Sequence, residues 1–262
     1  MSLAICVRCH IYPLLVLDTI DSIFYYATTN PIVMLASDWN SDIAPFIQKH
    51  YPQVYAYNTE KRMGWGSGLF HTLCESIHYL QGHTQFDAFL SLDYDNLPIR
   101  RGFDEKLLER VSTGAGLIGN KKVPAKHWEA LVSKHKQELE ALHMPDKYES
   151  VLGSLMLLTP IGLRTSESKG YFRSPYREVC GMGLPDDLWL SLLIQSAGLE
   201  IGGVDDIAYN VWGHPEDYRK IHKEGKYLYH PTKGEGGGKP LPESKEYMCR
   251  NYFRSVRKKS PL

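Results

Sequence analysis

The chain has no excess of either charge: 30 lysines and arginines balance 30 aspartates and glutamates over 262 residues. That balance excludes a global bias toward polyanions, so any contact with nucleic acid has to come from local clustering. Cysteine is scarce and odd in number, five in all, which excludes a disulfide framework and fits a reducing compartment. No run approaches the roughly 20 apolar residues of a membrane span, and no basic stretch with an apolar core and cleavage site opens the chain. A cytoplasmic protein with no membrane partner is expected. Internal repeats are missing too, as are the dinucleotide G-x-G-x-x-G and the Walker pattern ending in Gly-Lys-Ser/Thr.

What remains is an ordinary soluble composition, 43% hydrophobic and 23% charged, at a length suited to one large domain. Strand and helix signals alternate through the first half, which predicts a largely parallel sheet covered by helices. Strands are predicted at Leu3–Cys9, Pro31–Ala36, Val54–Tyr57, Phe86–Leu92, Gly116–Gly119, Leu152–Leu158 and Leu199–Val204. Helices are predicted at Leu14–Tyr26, Ile43–His50, Ser67–Leu80, Phe103–Val111, His127–His143 and Asp186–Ala197, the last capped by Gly198. Cys6 and Cys9 stand three apart on the first strand. They therefore point to opposite faces and are expected as buried thiols rather than zinc ligands. Beyond Ile207 the pattern is irregular, with a mobile loop expected at Gly234–Pro242.

The fourth strand ends in Asp93-Tyr94-Asp95-Asn96-Leu97-Pro98. Carboxylates at the exit of a buried strand need a partner, a metal or water. Spaced i and i+2 on an extended segment, Asp93 and Asp95 can converge on Mn²⁺ or Mg²⁺, hard ions that bridge to phosphates. The alternative is a turn in which Asp95 or Asn96 bonds local amides. Upstream, Lys61-Arg62-Met63-Gly64-Trp65-Gly66-Ser67-Gly68 lies between a strand and a helix. Its glycines let a ligand approach backbone N–H groups, and the helix start favours phosphate. A plain glycine loop with a solvated Arg62 is the alternative.

In this order of elements the chain resembles the GT-A glycosyltransferases, α/β enzymes with a Rossmann-like mixed sheet flanked by helices and a D-x-D after the fourth strand. The resemblance implies a single GT-A-like domain over residues 1–262. Residues 1–100 would form the nucleotide-sugar half, 101–230 the acceptor half and 231–262 a mobile loop and basic tail. It places Arg8, Asp38, Arg62, Gly64, Trp65, Gly66, Asp93 and Lys233 at a nucleotide-sugar donor, UDP-sugar favoured. Asp93, Asp95 and a late histidine, His230, would hold the metal, with His214 the rival ligand and Lys239 a substitute for Lys233. Leu184-Pro185-Asp186-Asp187 resembles the acidic helix start beside the acceptor, with Asp187 preferred over Asp186 for taking or orienting a hydroxyl proton. Helix capping is the alternative for that pair.

The end of the chain interleaves basic and aromatic residues, among them Arg250, Tyr252, Arg254, Arg257 and Lys258. Such a segment suits a phosphate backbone with stacked bases, and Lys121, Lys122, Lys126, Lys134 and Lys136 offer a second basic surface. A solvated tail is the alternative. Small GT-A enzymes of phage and base-J type glycosylate hydroxymethylated pyrimidines. The resemblance in size and basic end makes double-stranded DNA carrying such bases the expected acceptor, in host cytoplasm if the gene is a phage's. Other readings are a bacterial-type glycosyltransferase acting on saccharide or protein, a sugar nucleotidyltransferase, and a non-catalytic DNA- or glycan-binding module.

Overall fold

Strand β1 (Leu3–Cys9) has no polar face: all seven of its residues are buried, Arg8 included. A strand reads this way when helices cover both sides of a parallel sheet. Leu3, Ile5, Val7 and Cys9 enter one hydrophobic cluster, and Ala4 and Cys6 enter the other. The two cysteines thus lie on opposite faces as expected, both buried and unbridged. The computed structural model describes residues 1–10, 12–60, 67–122, 130, 132–133, 148–173, 176, 184–211, 217–232 and 244–262. Nearly all of the predicted helix at 127–143 and the loop at 234–242 lie outside the described residues.

The chain continues through α1 (Pro13–Tyr26), β2 (Ile32–Ser37), α2 (Ile43–His50), β3 (Tyr55–Asn58), α3 (Ser67–Gln81), β4 (Ala88–Asp93) and β5 (Leu97–Pro98). Then come α4 (Phe103–Val111), β6 (Leu117–Gly119), β7 (Lys121–Lys122), β8 (Ser150–Val151), β9 (Leu155–Leu158) and α5 (Pro160–Ser168). The last described elements are α6 (Asp186–Ser196), β10 (Ile201–Gly203), β11 (Ala208–Asn210), α7 (Tyr218–Lys223), β12 (Leu228–His230) and α8 (Lys245–Val256). The main sheet has seven strands in the order β10-β6-β9-β4-β1-β2-β3. Strands β3, β2, β1 and β4 run parallel, and β9 enters antiparallel between β4 and β6. Helices α1, α2 and α4 cover one face of the sheet, and α3, α5 and α6 the other. A small sheet, β11-β12-β5, packs with α7 and α8 around Leu97, Ile221, Tyr229, Cys249 and Phe253. Among the described residues no helix is long and apolar enough to cross a membrane.

Several sequence expectations are corrected. The strand predicted over 152–158 begins only at Leu155; residues 152–154 form the turn that joins β8 to β9. Where the sequence reading placed no helix, Pro160 opens α5, and Thr159 caps it by accepting from the Gly162 N–H at 3.2 Å. Gly162 can be nothing larger, since a Cβ there would lie 1.9 Å from the Gly116 carbonyl oxygen. The region beyond Ile207 is not irregular: it supplies β11, α7, β12 and α8.

The basic tail is likewise corrected. Arg250, on α8, and Arg257, just past its end, are buried at 0% and 2% exposure and reach Asp18 on α1. Arg250 pairs with Asp18 at 3.0 Å and Glu246 at 3.2 Å, Arg254 pairs with Asp18 at 3.0 Å, and Arg257 also pairs with Asp18. Tyr252 is enclosed by Tyr218, Phe253 and His222, with its hydroxyl 3.0 Å from His222 Nδ1. Of the five residues read as a nucleic-acid surface, Lys258 alone is exposed. Three cations converge on one aspartate because a buried carboxylate must be neutralised, and α8 brings them there at helical spacing.

Candidate active site

Because β1 to β4 are parallel, their C-terminal ends lie along one edge, and the register puts Arg8 beside Asp93. Arg8 is the organising cation of that edge. Its guanidinium reaches Asp93 at 2.9 Å and Asp186 at 2.7 Å, and it donates to the Gly153 carbonyl at 2.6 Å. Burial works against the Arg8 charge, but Asp93 and then Asp186 outweigh it, and its pKa lies above the ordinary arginine value. Arg8, read from the sequence as a residue at the nucleotide-sugar donor, is held by two carboxylates and a carbonyl of the protein itself.

The acidic pair divides between two partners. Strand β4 ends at Asp93, and the Asn96 N–H donates back to the Asp93 carbonyl at 2.9 Å, so Asp93 to Asn96 is a turn rather than an extended segment. Asp93 goes to Arg8. Asp95, fully buried, has its Oδ2 at 3.5 Å from Nε2 of His230, which ends β12. The Nδ1 of His230 is buried and makes no hydrogen bond among the described residues. The backbone joins the two segments again, with the Thr232 N–H donating to the Asp95 carbonyl at 3.0 Å. Asp93, Asp95 and His230 do not form a ready-made triad. Among the described residues, the group of three whose ligand atoms all lie within 4.8 Å is Glu60, His71 and Glu75. Within it, His71 and Glu75 form an i,i+4 pair on α3 at 2.8 Å.

Asp186 and Asp187 open α6 and face the same turn. The Gly153 N–H donates to Asp187 Oδ2 at 3.0 Å, the Leu188 N–H donates to Oδ1 at 2.7 Å, and Lys122 completes the set as an ion pair. A Cβ on Gly153 would stand 3.2 Å from Cβ of Asp187, so this glycine lets the β8–β9 turn approach both acids. Burial pushes the Asp186 carboxyl up to about 6, with Asp187 acting in the same direction and Arg8 opposing.

This shift has a measurable consequence. The unfolded chain loses the Asp186 proton near the ordinary value of 3.8 and the folded chain near 6. Between those values the native state binds more protons, so this contribution is complete at lower pH and is lost as the pH rises through 6. Urea unfolding is expected to show stability falling by about 2–3 kcal/mol across that interval from this group. Asp186→Asn should flatten that part of the profile; equal slopes in the two proteins would remove the assignment.

Of the other residues read from the sequence, Asp38 sits just beyond β2 on the same sheet edge, and its Oδ1 accepts from the Trp39 N–H at 3.0 Å. Arg62, Gly64, Trp65, Gly66, Lys233, His214, Lys239, Lys126, Lys134 and Lys136 lie outside the described residues. Lys121 pairs with Glu149 at 2.7 Å. The sequence reading missed the backbone of Gly153 and the roles of Lys122, Thr232 and Glu246. A signal existed for Glu246: with Ser244 as cap and Arg250 four residues on, it marks a helix.

No family profile and no curated protein sequence matches the chain. Solved structures do. The bifunctional glycosyltransferase WbbM aligns over 92% of this chain at 9% identity and a TM-score of 0.50, this chain spanning 46% of its length. The galactosyltransferase LgtC, solved with donor and acceptor sugar analogs, aligns over 99% of this chain and 97% of its own at 10% identity and a TM-score of 0.54. Mouse xyloside xylosyltransferase 1 aligns over 88% of this chain and 97% of its own at 11% identity and a TM-score of 0.50. With its mixed seven-stranded sheet, its acidic turn after β4 and this set of structural neighbours, the chain has the GT-A glycosyltransferase fold.

Proposed function

We propose that this protein is a metal-dependent glycosyltransferase that moves a sugar from a nucleotide-sugar donor, UDP-sugar favoured, to a hydroxyl acceptor. The observation that carries the reading is the approach of Asp95 to His230 beside the sheet edge where Arg8 of β1 pairs with Asp93, the last residue of β4. A carboxylate and an imidazole 3.5 Å apart suit a shared cation, since two ligands each about 2.1 Å from one ion lie roughly 3.0–3.4 Å apart. A mixed oxygen and nitrogen set leans toward Mn²⁺ over Mg²⁺. Asp95 and His230, with Asp93 two residues before Asp95, would hold such an ion, which when bound would supply charge stabilisation to a departing diphosphate. Arg8 keeps Asp93 in place, and Asp186 and Asp187 would orient the acceptor hydroxyl or take its proton.

For the acceptor we favour a saccharide hydroxyl. The segment that suggested hydroxymethylated DNA keeps Arg250 and Arg257 buried and paired, which takes away the main support for that acceptor. LgtC, with a related fold, was solved with an acceptor sugar analog. The test is a panel of nucleotide sugars with Mn²⁺, measuring free nucleoside diphosphate with and without oligosaccharides or hydroxymethylated duplex DNA. Slow hydrolysis of one donor, accelerated by a saccharide, is expected. Transfer to DNA alone would reverse the choice of acceptor. A requirement for pyrophosphate would point to a nucleotidyltransferase, and inertness toward every donor to a binding module.

A further inference from the structure

We propose that Arg250 and Glu246 of α8 form a positioning clamp that sets the separation of Asp95 from His230. The inference rests on the metal reading of those two residues. It starts from a guanidinium that is fully buried yet addresses three separate elements. Arg250 donates through Nη2 to the Tyr94 carbonyl at 2.9 Å, the peptide between the two acids of the turn. Through Nη1 it reaches Asp18 at 3.0 Å and Thr19 at 3.1 Å on α1, and through Nε it reaches Glu246 at 3.2 Å. Thr19 itself donates to the same Tyr94 carbonyl at 2.5 Å.

Glu246 carries the restraint to the histidine side. Its Oε1 accepts from the Thr232 hydroxyl at 3.2 Å, and the Thr232 N–H holds the Asp95 carbonyl at 3.0 Å. The bonds close into a ring: Tyr94 to Arg250, Arg250 to Glu246, Glu246 to Thr232, and Thr232 back to Asp95. Two residues before Thr232 stands His230. The backbone that carries Asp95 therefore cannot shift against the segment that carries His230 without straining this buried ring, whose side-chain bonds involve ionised groups. A buried ion pair is weak evidence for stability, but a planar fork fixed in three directions is suited to holding geometry, which lysine could not reproduce. Groups that orient metal ligands typically govern affinity by 10–100-fold.

The test titrates the full chain with Mn²⁺ alone, reading free Mn²⁺ by its EPR signal, with thermal unfolding of each metal-free variant in parallel. Thr232→Val removes the hydroxyl bond to Glu246 while keeping side-chain shape and the backbone bond to Asp95. It is expected to weaken Mn²⁺ binding about tenfold, whereas Thr232→Ser should bind like wild type. Glu246→Gln keeps size and hydrogen bonding but loses charge, and should also bind more weakly. Arg250→Lys should weaken binding at least as much as Thr232→Val, and if it fails to fold the Thr232 pair still decides. Thr232→Val and Glu246→Gln, folded, binding within twofold of wild type would overturn the clamp. Wild type that binds no Mn²⁺, or Asp95→Asn that binds as wild type does, would instead sink the metal reading, and the clamp with it.

Discussion

Asp95→Asn is expected to lower metal-dependent transfer by about a thousandfold while leaving the fold in place. The substitution preserves shape, so packing around a fully buried side chain changes little. It removes the negative charge facing His230 at 3.5 Å, and with it the anionic ligand a hard cation needs. Loss of one preorganised electrostatic group at a reacting diphosphate costs on the order of 10²–10³ in rate, and loss of the ion's hold adds to that. Transfer and Mn²⁺ binding, measured together, should both collapse. Glu75→Gln, in the Glu60-His71-Glu75 group on the other element, should leave both unchanged. The reverse pattern would move the metal to α3 and refute the assignment to Asp95.

Arg8→Met should be the most destabilising single change at the site, by about 3–5 kcal/mol, because it leaves Asp93 and Asp186 without their shared cation. For a chain of this size that corresponds to a fall in melting temperature of about 10 °C. The loss should depend on pH. Asp186, already pushed up to about 6 beside Arg8, loses the cation that lowers its pKa and takes up a proton more readily still. The variant should therefore recover part of its stability at pH 5 relative to pH 8, as measured by urea unfolding. Equal destabilisation at both values would mean that Arg8 acts through packing rather than through the acids.

The sequence was most legible where local signals agree with the final packing. Helices Ile43–His50 and Phe103–Val111 have the predicted bounds, each with a clean apolar stripe and polar flanks. The central strands were legible because burial on both faces leaves unbroken apolar runs. By contrast, β5, β11 and β12 are two or three residues long, and such strands exist only through long-range pairing. Helix α5 has its signal in Thr159-Pro160, a cap followed by proline at the first turn, but a proline directly after a strand is equally the mark of a strand's end. At the site, residue types were legible and partners were not. Arg8 finds Asp186 at a separation of 178 positions, and Arg250 finds Asp18 at 232. Charge count along the chain shows cations; only the fold shows that α8 turns them inward.

The antiparallel strand β9, lodged between β4 and β6, bears on how the protein comes to be made. During synthesis β4 emerges with one edge bare; Arg8 is already present to hold Asp93, but Arg250, which holds the Tyr94 carbonyl, follows Tyr94 by 156 positions. Contacts of such span are slow to form. A nascent chain halted before α8 would carry a paired β1–β2 core and an unfinished acidic turn, so catalytic competence should appear as a late step, after most of the sheet has formed.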